Sequence, residues 1–301
     1  MAYNISALPV YNDETSRAFM TRAILGAQTI KMLLDANAFD GTAKGNKAVQ
    51  LANTDVQIQD GSTCGRNALG DTVLAEAILS IKDLKVNLNY CARDLEKTYA
   101  VQDMKAKMAG QVYDDALFLD YIGTEVSDKV QAALEQMIWK GDKASGATAT
   151  LKQIDGFVKQ ITGSTYVHLS GGTSGDTISQ LQAFDLQMPV EVANKEDYRI
   201  FIGTDTYRKY VSQIAAKNLF NPNDQLTLWG SVSKLAPVDG LNGTNAVVAT
   251  RMSQLQAGGE LQDVALTNKY SMETEQVYFD SRFSLGVVPI YTDLIGYGTI
   301  K

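Results

Sequence analysis

The chain is poor in the side chains that usually carry chemistry. One histidine and two cysteines stand among its 301 residues. A triad or dyad built on imidazole can use only His168, which sits in Thr165-Tyr166-Val167-His168-Leu169, a stretch that alternates like a strand and suits a hydrogen-bonded structural histidine. A zinc site needs His168, Cys64 and Cys91 to converge with a carboxylate, at separations that match no finger or ribbon. Two cysteines do not make a secreted disulfide scaffold, and Cys64 has only Arg66 nearby to lower its pKa. The apolar runs are too short to cross a bilayer. Met1 to Ser6 lacks the basic and apolar regions of a signal peptide, so the triplets Asn4-Ile5-Ser6 and Asn242-Gly243-Thr244 have no secretory route to glycosylation. Positive charge is also short: 27 Lys and Arg against 34 Asp and Glu give a net charge of −7. No basic arm or stripe marks a nucleic-acid grip.

Two glycine-rich loops invite comparison with phosphate cradles and fail it. Gly41-Thr42-Ala43-Lys44-Gly45-Asn46-Lys47 has too short a glycine spacing and no closing Gly-Lys-Ser/Thr. Gly171 to Gly175 lacks the dinucleotide fingerprint and follows no clear buried strand. In Tyr278-Phe279-Asp280-Ser281-Arg282-Phe283, Asp280 and Arg282 alternate with aromatics, which reads as a solvated strand face beside a buried aromatic face. No pair among the many carboxylates stands out as an acid and its base. Sequence alone locates no active site.

What is present is a globular composition, 45% hydrophobic and 20% charged, with helix and strand periods intermingled, an α+β pattern. Residues 1–16 read as a polar tail, with Ser16 placed to cap a helix running to about Leu34. Residues 39–47 read as a loop. Val56 and Ile58 alternate with polar neighbours, as do Leu84, Val86, Leu88 and Tyr90, around the turn-rich segment 61–71. This predicts a two-stranded ribbon whose apolar face must lie on something else, since a lone hairpin is marginal in water. Helices are predicted from Asp94 to Ala109 and from about Leu117 to Lys140. In the second, Ile122, Val126, Val130, Leu134 and Met137/Ile138 form one stripe, and Gly141 is placed as a C-cap tolerant of positive φ. Beyond Ile154-Asp155-Gly156-Phe157 come a helix at 176–187, a buried strand at 199–203 and a helix at 205–217. Strands follow at 234–238, 246–250 and 276–288.

The order of these elements resembles the major capsid proteins of tailed bacteriophages, built on the Johnson fold. The likeness rests on the long helix ending Trp139-Lys140-Gly141-Asp142, the turn Ile154-Asp155-Gly156-Phe157, the block Tyr198 to Gly203, and the return through Gly258-Gly259-Glu260-Leu261 to Val277–Val287. It implies an N-terminal arm at 1–53, an extended E-loop ribbon at 54–93, and a peripheral domain at 94–163 and 252–287 containing the long spine helix. An axial domain would take 164–251 and 288–301. It further implies a non-enzymatic shell subunit without cofactor or metal, self-assembling into pentamers and hexamers of an icosahedral virion head around double-stranded DNA. Binding to that DNA would not be sequence-specific, and no membrane is involved. Assembly in the bacterial host cytoplasm, with portal and decoration proteins as partners, belongs to the same expectation; Met1 lies only about fifteen residues before the arm helix, which leaves either a separate scaffolding protein or an N-terminus already edited. The subunit interface is expected on the ribbon, at Val56, Ile58, Leu84, Val86, Leu88 and Tyr90. The alternatives are an encapsulin-like nanocompartment shell and a cytosolic carboxylate-dependent enzyme.

Overall fold

A computed structural model describes residues 24–42, 45–59, 69–108, 115–171, 175–219, 226–260, 265–271 and 273–301. Ser16, Cys64 and the segment 61–68 lie outside them. Seven helices, α1 Gln28–Asp35, α2 Ala92–Met108, α3 Asp115–Lys140, α4 Phe157–Thr162, α5 Thr177–Gln187, α6 Val190–Ala193 and α7 Thr204–Ala216, are interspersed with strands along the described chain. The strands are β1 Phe39–Asp40, β2 Asn46–Thr54, β3 Thr72–Ser80, β4 Lys82–Cys91, β5 Val167–Leu169, β6 Tyr198–Gly203, β7 Lys234–Val238, β8 Ala246–Arg251, β9 Leu255–Gly258, β10 Ala265–Ser271, β11 Gln276–Pro289 and β12 Gly296–Thr299.

The spine helix α3 runs for 26 residues and buries the predicted stripe at Val126, Val130, Leu134, Met137 and Ile138. Its end is set by close approach of backbones, not by a left-handed cap, because Gly141 is absent from the positive-φ residues. A Cβ on Gly141 would meet Ile154 O and lie 2.5 Å from Met137 O, and one on Gly156 would lie 2.7 Å from Ile138 O. Gly156 N donates to Gly141 O at 2.9 Å, and Asp142 N to Leu151 O at 2.8 Å. The two glycines therefore let the loop fold flat onto the helix terminus. That seats Phe157 5.4 Å from Trp139, whose other side meets Phe201 at 5.1 Å.

The arm helix α1 is no loose arm. Thr29, Ile30 and Leu33 are buried, along with Ile24 and Ala27 just before it, in the same cluster as Trp139 and Phe157. Each large aliphatic so placed contributes about 1.5–3 kcal/mol by leaving water. Ala27 offers no side chain to cap the helix. Instead Glu135 of α3 accepts from Thr29 N at 2.9 Å and from the Thr29 hydroxyl, while Trp139 Nε1 donates to Thr29 Oγ1 at 2.7 Å. The arm helix therefore buries its apolar side within its own subunit, where the spine supplies both an apolar seat and the cap.

Two sheets organise the rest. In the first, β11 is the shared strand: β4 pairs with it antiparallel from Gln276 to Leu285, β10 along Gln276–Arg282, and β9 along Gly286–Pro289, with β1 parallel to β9 beyond. The second has the order β5-β12-β8-β6-β7. There β7 and β8, which read in sequence as neighbours across a turn, instead flank β6 on opposite sides. The second sheet packs against α5 and α7 around Leu181, Phe184, Tyr198, Ile200 and Tyr210.

The ribbon is real but displaced in sequence. β2 pairs with β3 over the whole span from Asn46↔Ser80 to Thr54↔Thr72. Residues 55–59 lie beyond its strands. The predicted partner strand, Leu84 to Tyr90, belongs to β4 in the first sheet. Four apolar residues spaced by two were assigned to the ribbon when they cover this chain's own core.

Candidate assembly surface

Among the described residues, two open apolar surfaces bear on the predicted interface. The first is the ribbon. One of its faces, with Val49, Leu51, Ala77 and Leu79, is partly or fully covered. The opposite face carries Leu74 at 78% and Ile78 at 62% exposure, opposite Ala52 and Ala48, with Glu76 between them. Past the strands, Val56 and Ile58 are exposed, Ile58 at 98%. Apolar side chains this open are scattered singly on ordinary surfaces, but here they line the exposed face and extension of one element.

The second surface is an open groove of about 940 Å³ between α3 and the first sheet. Its floor includes Val86 and Leu88 from β4 and Val126, Val130 and Met137 from α3. Lys85, Lys129 and Arg282 stand on its walls with Asp83 and Glu260. The six residues expected at an interface are therefore divided. Val56 and Ile58 lie on the ribbon extension, while Val86 and Leu88 are half-buried in the groove. Leu84 is buried in the core, and Tyr90 packs edge-on against Phe279 at 5.5 Å, with its hydroxyl pKa raised by burial and by Glu125. Leu74 and Ile78, missed from sequence, are the ribbon's own open pair. Their signal was there, in the apolar residues of Thr72-Val73-Leu74-Ala75-Glu76-Ala77-Ile78-Leu79, but it lacks a clean period of two.

The ribbon is fixed to the body at its base and farther out. Asp40 accepts from Thr42 N at 3.0 Å and pairs with Lys47 of β2; these contacts, Lys47's first, pull its carboxyl down to about 2. Six residues along β2 from its start, the Tyr291 hydroxyl donates to Ala52 O and accepts from Ala52 N, both at 3.1 Å. Tyr291 reaches it from a left-handed backbone, φ 51° and ψ 56°. That conformation costs a non-glycine residue roughly 1–2 kcal/mol.

Among the described residues, Glu135 is the one buried charged side chain. Burial pushes the Glu135 carboxyl up, against the hydrogen bonds from Thr29 and Trp139, and the nearby Asp239 adds to the rise. This carboxyl caps α1 through Thr29. His168 is exposed on β5, its ring 4.2 Å from that of Tyr166 and its backbone opposite Tyr297. Cys91 is exposed and unbonded. Among the described residues no three His, Cys, Asp or Glu side chains group as a metal site, and no helix is long and apolar enough to cross a membrane.

No protein-family model matches the chain, and no curated protein matches it. Solved structures do. A chain of the satellite phage P4 procapsid that includes the size-determination protein aligns with a TM-score of 0.61 at 9% identity, covering 97% of this chain and 92% of that one. The capsid asymmetric unit of cyanophage A-1(L) aligns at 0.56 and 10% identity, covering 100% and 95%. A virus-like particle from Pyrococcus furiosus aligns at 0.52 and 14% identity, covering 95% and 98%. The fold is the α+β Johnson fold of these shells, across essentially the whole chain.

Proposed function

We propose that this chain is the major capsid protein of a tailed bacteriophage, a structural subunit that self-assembles into the icosahedral head around double-stranded DNA. The observation that carries the reading is a shell-protein fold over nearly the full chain, combined with a ribbon whose outer face exposes Leu74 and Ile78. In a closed assembly every copy donates and receives the same contacts. We assign the ribbon face at Leu74 and Ile78, and its extension at Val56 and Ile58, to the groove of a neighbouring copy lined by Val86, Leu88, Val126 and Val130. The groove's Lys85, Lys129 and Arg282 suit Glu76 on the incoming ribbon.

The domain assignment follows the same reading: peripheral domain around α3 and the first sheet, axial domain around the second sheet. The helix of the proposed arm is part of the peripheral core. Capsomers of five and six copies, scaffolding, portal and decoration partners, and assembly in the host cytoplasm belong to this proposal. A net charge of −7 suits a wall that encloses DNA without gripping it.

Electron microscopy of the purified protein tests it. Closed shells are expected; a protein that stays monomeric under all assembly conditions overturns the proposal. Ile78→Asp and Val86→Asp should each leave a soluble, folded subunit and block shells. Uniform shells from both variants would refute the pairing of these two surfaces.

A further inference from the structure

We infer that Tyr291 is a positioning residue that sets the angle of the ribbon and ties it to the relative placement of the two sheets. The inference rests on the assembly reading above for its consequence, but not for its geometry. Tyr291 lies between Pro289, paired with Leu255 in the first sheet, and Gly296, paired with Val167 and Ala249 in the second. It therefore stands on the chain segment that joins the two. The backbone there is locked: Ile290 N donates to Gln254 O at 2.8 Å, Leu294 N to Tyr291 O at 2.9 Å, and Ile295 N to Thr292 O at 3.1 Å. Together with the left-handed φ, this aims the ring away from both sheets and onto the ribbon.

What the ring meets is specific. The N–H and C=O of one strand residue point to the same side, so a single hydroxyl that bonds both groups of Ala52 seats on the outer edge of β2. The base of the ribbon has a different fixing, with Gly286 of β11 packed directly on the Ser80 carbonyl. Base and phenol are two points on a rigid hairpin, and two points define a direction. Any change in how the second sheet sits against the first carries Tyr291 with it and turns the ribbon about its seat on Gly286. A shell subunit that must fit sites of different local curvature needs a link of this kind between its body and its longest projection.

The test is Tyr291→Phe in the full chain, which removes one oxygen and keeps the ring and backbone. Hydrogen exchange of the unassembled subunit is the first readout, with the amides of β7 as internal reference. Exchange at Ala52 and along β2 and β3 should rise at least about five-fold, the equilibrium weight of an ordinary neutral hydrogen bond, with β7 unchanged. The second readout is shell diameter: shells should still form, with a broadened distribution of sizes. A purely structural tyrosine would instead lower the melting temperature and raise exchange throughout. Unchanged ribbon exchange overturns the latch, and raised exchange with shells of unaltered uniform diameter overturns its role in assembly. If the wild-type chain forms no shells, the proposed function fails while the exchange comparison still decides the latch.

Discussion

Adding one methyl group at Gly156 should destabilise the subunit more than most core truncations of similar size. In Gly156→Ala the new carbon would lie 2.7 Å from Ile138 O and 2.8 Å from both Gly141 N and Trp139 O. All three are backbone atoms at the end of α3, so no side chain can swing aside. Relief requires the turn to lift off the helix terminus. That stretches the 2.9 Å bond from Gly156 N to Gly141 O and draws Phe157 away from Trp139. Overpacking costs about 1–3 kcal/mol, and a strained or broken hydrogen bond about 1 more. A loss of about 3 kcal/mol lowers the melting temperature by roughly 6–12 °C for a domain of this size. Gly175→Ala is the matched control, because nothing lies within 4 Å of its added carbon and its φ is not positive. Its effect should stay within about 0.5 kcal/mol. Paired calorimetric melts decide the matter. A Gly156→Ala protein melting within about 2 °C of wild type would refute the claim that the interlocked glycines fix this turn.

Other outcomes follow from the same contacts. Because burial raises the Glu135 pKa above its usual value of 4.5, its contribution is fully present below pH 4.5 and is lost as pH rises through the elevated folded value; Glu135→Gln should flatten that part of the stability–pH curve, and an unaltered slope would count against it. Asp40 behaves oppositely. Its carboxyl is lowered from 3.8 to about 2, so its contribution is present above pH 3.8 and lost on acidification toward pH 2, and Asp40→Asn should remove that acid-side loss in a chemical-denaturation series. Leu84→Ala should cost about 2–4 kcal/mol of subunit stability, measurable by urea melts, whereas Ile78→Asp should leave the melt nearly unchanged and act on assembly alone. Removing residues 1–53 should unfold the peripheral core, seen as loss of near-ultraviolet circular dichroism; a native spectrum would contradict the burial of α1.

The long helices and the strand at 276–289 were legible because their own core dictates their period. Val126, Val130 and Leu134 repeat with the turns of α3, and Val277, Phe279 and Ser281 alternate inward along β11. The ribbon was misread for the converse reason. Val73 and Leu74 are adjacent, and Leu79 is buried while Ile78 is exposed, so apolar residues fall on both faces and no single period emerges. Val56 and Ile58 alternate convincingly yet lie outside the strands. The capping of α1 was equally hidden, because its cap is a carboxylate 106 residues away in sequence. Gly141 was located by its position after the helix, but its reason is contact with Ile154 and Gly156, which periodicity does not encode. The scatter of the six expected interface residues over the ribbon extension, the groove and the core followed from the same shift of the ribbon strands.

One further consequence lies in the length of β11. Its first ten residues are held by β4 and its last four by β9, so a single covalent strand passes through both halves of the first sheet and leads on toward the second. In the proposed shell, tension along the wall would run through these peptide bonds, with the flanking ladders loaded in shear along their length. Ladders loaded that way fail together, and not one rung after another as in peeling. Cutting the chain within β11, with every side chain retained, should then lower the force at which the subunit yields under an atomic-force probe far more than it lowers the melting temperature. Equal losses in both would mean that strand continuity carries no load.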